Sequence, residues 1–292
     1  MSQKLKVALI QHSCTENVES NLNKSLEMID ISAENGARLI VLQELHKTLY
    51  FCQSEEITNF DFAETIPGPT SDAISSLCKK KKITVVASIF EKRAVGVYHN
   101  TAIVIDKDGT IAGKYRKMHI PDDPGFYEKF HFTPGDLGFE PIQTSIGRLG
   151  VLVCWDQWFP EAARLMAMKD AEILIYPTAI GWSPKDDQDE KNRQKESWIT
   201  IQRSHAIANG LPVLAVNRTG LEEKESSAID FWGSSFVADQ QGQILSMGST
   251  NKEEIIYAEI DKQKTEITRR IWPFFRDRRV ENYDGLLNKW MN

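Results

Sequence analysis

Cysteine, long hydrophobic runs and excess positive charge are all scarce in this chain of 292 residues. The four cysteines lie far apart and form no Cys-x-x-Cys pair, which argues against a disulfide framework or a zinc site and favours a reducing cytoplasm. No stretch approaches the ~20 consecutive apolar residues of a membrane span, and the first residues lack a signal-peptide pattern. The formal net charge of −6 offers no surface for nucleic acid. We therefore expect a cytoplasmic protein without metal, cofactor, membrane or nucleic-acid partner.

The chain does contain a regular alternation of short apolar strands and amphipathic helices. Strands are predicted at 6–11, 38–42, 83–90, 99–105, 110–115, 149–153, 173–176, 212–216, 234–238, 243–247 and 255–260. Helices are predicted at 21–34, 71–80, 160–168 and 192–208. Hairpin signals such as Asp108-Gly109 predict a mixed sheet, or two packed sheets, with helices outside. No linker is visible, so 1–292 is predicted to be a single domain whose aromatic tail, 269–292, packs on the body or on a partner subunit.

Cys154 stands between the apolar strand predicted at 149–153 and a helix predicted to begin at Pro160. A cysteine at the exit of a buried strand occupies a sharp turn, where its thiol can be exposed and the following N–H groups can face an oxyanion. Free cysteine is more often buried and inert, so this position alone does not establish catalysis.

Two charged residues occupy similar positions. Glu44 follows the apolar strand at 38–42, where a low dielectric suits a carboxylate to general-base work, although a solvated strand end is an equal alternative. Lys117 lies in the basic segment 113–121, where an ammonium group can stabilise an oxyanion or a thiolate. A lysine in a basic run is otherwise usually solvated.

In order and context, Glu44, Lys117 and Cys154 resemble the Glu–Lys–Cys triad of the carbon–nitrogen hydrolase (nitrilase) superfamily. The resemblance covers nearly the whole chain, and its matching stretches are 41–44 (VLQE), 115–117 (YRK), 154–161 (CWDQWFPE) and 232–242 (WGSSFVADQQG). Within the superfamily the chain is most similar to N-carbamoylputrescine amidohydrolases, through 119–136 (HIPDDPGFYEKFHFTPGD), 176–182 (YPTAIGW) and 272–279 (WPFFRDRR).

This resemblance implies a four-layer α-β-β-α sandwich with two mixed central sheets, assembled into homo-oligomers. It implies that Cys154 attacks the carbamoyl carbon to form a thioester-type intermediate, while Glu44 takes the thiol proton and later activates water. Lys117 and the backbone N–H of Trp155 would hold the oxyanion, and Glu128, matching a second family glutamate, would orient Lys117 or the substrate nitrogen. The expected reaction converts N-carbamoylputrescine and water into putrescine, carbon dioxide and ammonia, in polyamine biosynthesis.

The residues after the nucleophile favour a cationic amine as substrate. Relatives that act on N-carbamoyl amino acids carry an arginine there, which can bind the substrate carboxylate, whereas 155–158 (WDQW) contains no cation. Aromatic and acidic side chains, among them Asp123, are suited to an ammonium group instead. The predicted substrate-binding residues are Trp155, Asp156, Tyr127, Asp122, Thr178, Ala179 and Trp182.

Two other functions remain compatible with the sequence. The same triad can support another amidase or nitrilase specificity, for N-carbamoyl amino acids or ω-amides, because all these substrates present an electrophilic carbon bonded to nitrogen. A non-catalytic scaffold protein of the superfamily is the second alternative. Metal binding is not expected, because the spacing of His119, Asp122, Asp123 and His131 fits no familiar ligand pattern.

Overall fold

The computed structural model describes residues 4–224 and 227–291. Its strands are β1 (Lys4–Gln11), β2 (Leu39–Leu42), β3 (Thr84–Ala94), β4 (Val97–Ile105), β5 (Ile111–Arg116), β6 (Asp122–Asp123), β7 (Phe126–Tyr127), β8 (Ile142–Thr144), β9 (Gly147–Val151), β10 (Ile173–Pro177), β11 (Gly181–Trp182), β12 (Val213–Val216), β13 (Thr219–Lys224), β14 (Ser227–Trp232), β15 (Phe236–Ala238), β16 (Ile244–Met247) and β17 (Glu254–Asp261). Its helices are α1 (Val18–Glu34), α2 (Pro69–Lys81), α3 (Glu128–His131), α4 (Pro160–Met168), α5 (Gln188–Asn209) and α6 (Lys262–Ile271).

Two six-stranded sheets form the middle of the molecule. The first has the order β17-β1-β2-β3-β4-β5, and the second has the order β16-β15-β12-β10-β9-β8. In the first sheet β1 is parallel to β2 and antiparallel to β17. In the second, β12 is parallel to β10 and antiparallel to β15. Both sheets are therefore mixed, as the hairpin signals predict.

The layers follow from the alternation of side chains along each strand, since successive residues point to opposite faces of a sheet. In β1, Val7 and Leu9 join the core that lies between the two sheets, whereas Ala8 and Ile10 pack in a second core with Ile29 of α1. Helices α1 and α2 contact the first sheet, and α4 and α5 contact the second. The α-β-β-α sandwich is confirmed.

Local signals explain where the helices begin and end. Helix α4 begins at Pro160, as predicted, because a first helical position needs no N–H donor. Helix α5 begins four residues earlier than predicted, because the side chain of Asp187 accepts a hydrogen bond from the backbone N–H of Glu190. It ends at Asn209, and the next residue, Gly210, has a left-handed conformation. The sequence analysis does not predict α6, none of whose residues is fully buried, and its two isoleucines, Ile267 and Ile271, are exposed.

The C-terminal tail makes few contacts with the body. Phe275 packs against the main core, and the guanidinium carbons of Arg164 and Arg269 lie 4.8 Å and 5.2 Å from its ring centroid. Other large apolar side chains of the tail are exposed, among them Leu287 and Trp290. The single domain and the packing role of 269–292 stay predictions, and residue 292 lies outside the described residues. Within the described ranges, none of the helices is long and apolar enough to cross a bilayer.

Candidate active site

Glu44, Lys117 and Glu128 meet in one fully buried cluster. Glu44 follows β2, Lys117 directly follows β5, and Glu128 is the first residue of α3. The Nζ atom of Lys117 donates to Glu44 Oε1 at 2.8 Å and to Glu128 Oε2 at 2.6 Å. Burial alone would lower the pKa of Lys117, but the negative charges of Glu128 and Glu44 raise it well above its ordinary value. Lys117 is therefore a permanent cation in a water-excluded site.

Both carboxylate oxygens of Glu128 are hydrogen-bonded. The second oxygen, Oε1, accepts from the hydroxyl of Tyr50 at 2.7 Å. Burial raises the pKa of Glu128 to about 7, against the opposing effect of Lys117. Burial also raises the pKa of Tyr50 well above its ordinary value, so its hydroxyl stays a neutral donor. With both oxygens engaged, Glu128 is placed to orient Lys117.

Glu44 differs because one of its oxygens is free. Its Oε1 accepts from Lys117 and from the side-chain amide of Asn100, at 2.7 Å in the second case. Its Oε2 is buried and has no hydrogen-bond partner among the described residues. A buried carboxylate oxygen without a partner can accept a proton from a thiol or from a water molecule.

Cys154 begins the turn that follows β9, at the end of a central strand of the second sheet. Its φ of +44° lies in the left-handed region, which is strained for a residue other than glycine and is often seen at active sites. Burial raises the pKa of the thiol well above its ordinary value, the charge of Glu44 raises it further, and Lys117 opposes both. Attack by Cys154 therefore requires a base, and Glu44 is the neighbouring carboxylate with a free oxygen.

Asp156 holds this turn together and does not line the cavity described below. One of its oxygens accepts from the N–H of Val153 and the hydroxyl of Tyr115, at 2.9 and 2.8 Å. The other accepts from the backbone and the ring of His119, at 3.1 and 2.7 Å. Asp156 is fully buried, so neither oxygen is left for a substrate ammonium group.

Cys154 opens into a cavity of about 520 Å³ that is lined by the segments 121–126, 154–158 and 179–197 and by Trp232. The described residues that line it are Pro121, Asp123, Pro124, Phe126, Cys154, Trp155, Trp158, Ala179, Ile180, Gly181, Ser183, Asp186, Glu190, Arg193, Gln194, Ser197 and Trp232. Of the predicted substrate-binding residues, Trp155 and Ala179 are among them.

The other predicted residues lie elsewhere. Tyr127 and Trp182 line a neighbouring cavity of about 510 Å³. Thr178 is buried, with its hydroxyl 3.1 Å from the carbonyl oxygen of Tyr176, to which it donates. Asp122 is exposed, 3.9 Å from the ammonium of Lys129. The structure therefore places these side chains outside the lining that includes Cys154.

The acidic side chains of the cavity wall come from two segments. Asp123 lies in β6, and its Oδ1 is buried without a hydrogen-bond partner in the described part of the chain. Burial raises the pKa of Asp123, and the charge of Lys117 opposes this shift. Asp186 lies just before α5 and Glu190 in its first turn, where Glu190 pairs with the exposed Arg193 at 2.7 Å. The sequence carries no signal that α5 faces the nucleophile, because the helix begins 34 positions after Cys154 along the chain.

Comparison with known proteins agrees with this geometry. A family model described as carbon–nitrogen hydrolase matches residues 6–270. The chain is 40% identical over 286 residues to an N-carbamoylputrescine amidase from Solanum lycopersicum, covering 96% of this chain and 94% of that one. It is 42% identical over 288 residues to a citrullinase from Francisella tularensis, covering 98% and 99%.

A solved structure extends the match to three dimensions. The crystal structure of a carbon–nitrogen hydrolase from Helicobacter pylori G27 superposes with a TM-score of 0.96 at 51% identity, covering 99% of this chain and 100% of that one. The enzyme class expected from the context of Glu44, Lys117 and Cys154 is confirmed, and the chain belongs to the carbon–nitrogen hydrolase family of the nitrilase superfamily.

Proposed function

We propose that this enzyme hydrolyses N-carbamoylputrescine to putrescine, carbon dioxide and ammonia. The observation that carries the proposal is that Cys154 and Asp123 line the same cavity, and that Oδ1 of Asp123 is buried with no hydrogen-bond partner among the described residues. A carbamoyl group at Cys154 would leave the aliphatic chain of the substrate in the cavity. Its terminal ammonium group would then meet Oδ1 of Asp123, which has no hydrogen-bond partner among the described residues, and a charge-assisted hydrogen bond would form.

The first half of the reaction transfers the carbamoyl group to sulfur. Glu44 Oε2 takes the proton of the Cys154 thiol, and the thiolate attacks the carbamoyl carbon. Lys117 and the backbone N–H of Trp155 stabilise the oxyanion of the tetrahedral intermediate. The carbon–nitrogen bond breaks as Glu44 returns the proton to the departing nitrogen, which leaves a thioester-type intermediate on Cys154.

The second half repeats these roles with water. Glu44 removes a proton from a water molecule, which attacks the intermediate while Lys117 and Trp155 again hold the oxyanion. The carbon–sulfur bond breaks, the thiolate regains a proton from Glu44, and the remaining carbamoyl fragment ends as carbon dioxide and ammonia. Because Lys117 is charged throughout, it stabilises the oxyanion without giving up a proton.

The charges of the cavity wall support an amine substrate. Among its described residues, Asp123, Asp186 and Glu190 are acidic and Arg193 is basic, and Arg193 is already paired with Glu190. A substrate carboxylate would compete with that pairing, whereas an ammonium group meets an acidic surface. The relative from Solanum lycopersicum named N-carbamoylputrescine amidase supports the same choice.

Citrulline is the second candidate substrate, because the relative from Francisella tularensis is named citrullinase. Citrulline carries the same carbamoylated nitrogen and an ammonium group, together with a carboxylate. Arg193 is the side chain of the described lining that could receive that carboxylate, if it released Glu190. The ammonium site at Asp123 would serve both substrates, so they must be separated by kinetics.

Ammonia release from a panel of carbamoyl compounds tests the substrate. We expect the highest kcat/KM for N-carbamoylputrescine, then citrulline, with N-carbamoyl-β-alanine far behind. n-Butylurea has the same four-carbon chain without the ammonium group. Its kcat/KM should be about 10- to 100-fold lower, because it cannot form the hydrogen bond to a charged group that contributes this factor. A preference for citrulline would favour the second candidate, and a preference for N-carbamoyl-β-alanine would contradict both.

The substitution Asp123→Asn tests the ammonium site in the same assay. It should lower kcat/KM for N-carbamoylputrescine by about 10-fold or more and leave n-butylurea nearly unchanged, because only the charged substrate loses a partner. The neighbouring Asp122→Asn, at an exposed position, is the matched control and should change neither rate. Equal losses for the two substrates would contradict the site.

We also propose a cytoplasmic, homo-oligomeric enzyme of polyamine synthesis. All four cysteines are free and buried, which suits a reducing compartment. The exposed apolar side chains of the tail, among them Trp272, Phe274 and Trp290, would be covered by a second copy of the chain.

A further inference from the structure

A buried ion pair lies next to the catalytic cluster. Arg218 Nη1 donates to Glu222 Oε1 at 2.6 Å, and their side chains are 0% and 3% exposed. Neither residue belongs to the lining of the cavity that contains Cys154. A buried ion pair is weak evidence for stability, because desolvation offsets much of the attraction between the charges. The contacts that the pair makes with its surroundings therefore indicate its purpose.

Arg218 binds the backbone that carries the base. Its Nη2 donates to the carbonyl oxygens of Glu44 and Leu45, both at 3.0 Å, and its Nη1 donates to the carbonyl oxygen of Thr48 at 3.2 Å. Leu45 has a φ of +48°, in the left-handed region. A leucine persists there only where the surroundings hold the backbone. Arg218 thus fixes the direction in which the side chain of Glu44 leaves the chain.

Glu222 connects the same ion pair to the second glutamate. Its Oε2 accepts from the backbone N–H of Tyr50 at 2.6 Å, and the hydroxyl of Tyr50 donates to Glu128 at 2.7 Å. The guanidinium carbon of Arg218 lies 5.9 Å from the ring centroid of Tyr50 and 5.2 Å from that of Phe231. The Tyr50 ring also packs against Phe126 and Phe231, with centroids 5.5 and 5.8 Å away. The position of the Tyr50 hydroxyl is therefore set by the ion pair at the backbone and by aromatic packing around the ring.

We propose that Arg218 and Glu222 are positioning residues that hold both carboxylates against Lys117. Arg218 positions Glu44 through hydrogen bonds to the carbonyl groups of Glu44 and Leu45. Glu222 positions Glu128 through Tyr50. The inference rests on the proposed roles of Glu44 and Glu128 in hydrolysis. In this way one buried ion pair, which does not contact the substrate, keeps an oxygen of Glu44 and an oxygen of Glu128 within 2.8 Å of the ammonium group of Lys117.

Displacement of the base by about 1 Å can slow catalysis about 100-fold without altering the chemistry available. Arg218→Lys keeps the charge but cannot reproduce the planar array of donors that bridges three carbonyl groups and a carboxylate. Glu222→Gln keeps one acceptor and removes the charge that balances Arg218. Both variants should lower kcat about 10- to 100-fold and change KM less than about threefold, because neither residue contacts substrate.

The experiment measures kcat and KM for N-carbamoylputrescine, the urea unfolding midpoint, and the rate of Cys154 alkylation by iodoacetamide. Cys154→Ala gives the background alkylation of the other cysteines. Alkylation should slow in Arg218→Lys and Glu222→Gln, since formation of the thiolate depends on Glu44. Glu91→Gln, which weakens another buried ion pair, between Arg116 and Glu91 at 2.8 Å, is the structural control. It should lower the unfolding midpoint with kcat and alkylation close to wild type.

The outcomes separate this inference from the proposed substrate. If the wild-type enzyme hydrolyses none of the carbamoyl compounds, the substrate assignment fails, and alkylation still reports on the thiol and its base. Wild-type kcat and alkylation in folded Arg218→Lys and Glu222→Gln would overturn the positioning role, as would an equal loss in Glu91→Gln. If Arg218→Lys does not fold, Glu222→Gln and Tyr50→Phe decide, and normal rates in both overturn the proposal.

Discussion

The inner end of the site is the buried cluster of Glu44, Lys117 and Glu128 near Cys154, and its outer wall is the lining of the cavity into which Cys154 opens. These two regions hold their charges in opposite ways. At the inner end, Glu44, Lys117 and Glu128 are fully buried, and the hydrogen bonds of Lys117 join them into one network. On the outer wall, Arg193 and Glu190 form a partly exposed pair, and Asp123 has a buried oxygen that no described residue contacts through a hydrogen bond. Buried, connected charges keep one geometry, as bond breaking requires. Unpaired or exposed charges can exchange partners, as substrate recognition requires.

The two glutamates repeat this contrast within the inner end. Glu128 uses one oxygen for Lys117 and the other for Tyr50. Glu44 accepts two hydrogen bonds at Oε1, and its Oε2 has no hydrogen-bond partner in the described part of the chain. The same side-chain type therefore serves as an orienting group at one position and as a base at the other.

The largest expected effect comes from removing the nucleophile at the inner end. Cys154→Ala should lower kcat at least about 10⁴-fold, because no other group of the cluster can carry the carbamoyl intermediate. The unfolding midpoint should change little, since a buried thiol replaced by a methyl group leaves a small cavity. Ammonia release and urea unfolding check both statements. Appreciable turnover in the folded variant would assign the nucleophile to another residue.

The second largest effect is a difference in kcat between variants of the two glutamates. Glu44→Gln should lower kcat about 10³-fold, because an amide cannot accept the thiol proton. Glu128→Gln should lower it about 10-fold, because its carbonyl oxygen can still accept from Lys117 while the charge is lost. Steady-state kinetics of the two isosteric variants compare these roles directly. Equal losses would show that both carboxylates transfer protons.

The sequence predicts the strands and the reactive residues well where the information is local. Strand β2 is apolar along its whole length, and helix α4 starts at a proline, so short patterns suffice. Glu44, Lys117 and Cys154 all follow the ends of strands, and their neighbours in the chain carry the family resemblance.

Contacts between distant segments could not be predicted in this way. The bond from Arg218 to Glu44 joins residues 174 positions apart, and the bond from Tyr50 to Glu128 joins residues 78 apart. The choice between Asp122 and Asp123 depends on which face of the two-residue strand β6 points to the cavity. Asp156 is a second example. Its position two residues after the nucleophile predicts contact with substrate, but in the structure its hydrogen bonds stabilise the turn instead.

The last expected effect is on stability rather than on rate, and it compares the pH dependence due to a carboxyl group of the inner end with that due to a carboxyl group of the outer wall. Burial raises the pKa of Glu128 to about 7 in the folded state, above its ordinary 4.5. Between these values the folded protein keeps a proton that the unfolded chain releases, so this group's contribution to stability falls as the pH rises. Burial raises the pKa of Asp123 in the same direction, but that residue is only half-buried.

Urea unfolding at pH 5.5 and 7.5 measures this contribution as a difference between variants. The wild-type enzyme should lose about 2 kcal/mol more stability over this interval than Glu128→Gln, from a pKa of about 7 against 4.5. Asp123→Asn should differ from wild type by less, because an exposed part of its carboxyl group stays solvated. If Asp123→Asn changed the pH dependence of stability more than Glu128→Gln does, the carboxyl group with the more strongly raised pKa would be on the outer wall and not at the inner end. Equal pH dependence in all three proteins would show that Glu128 is ionised in the folded state across this interval, which would make the inner cluster a fully charged triad.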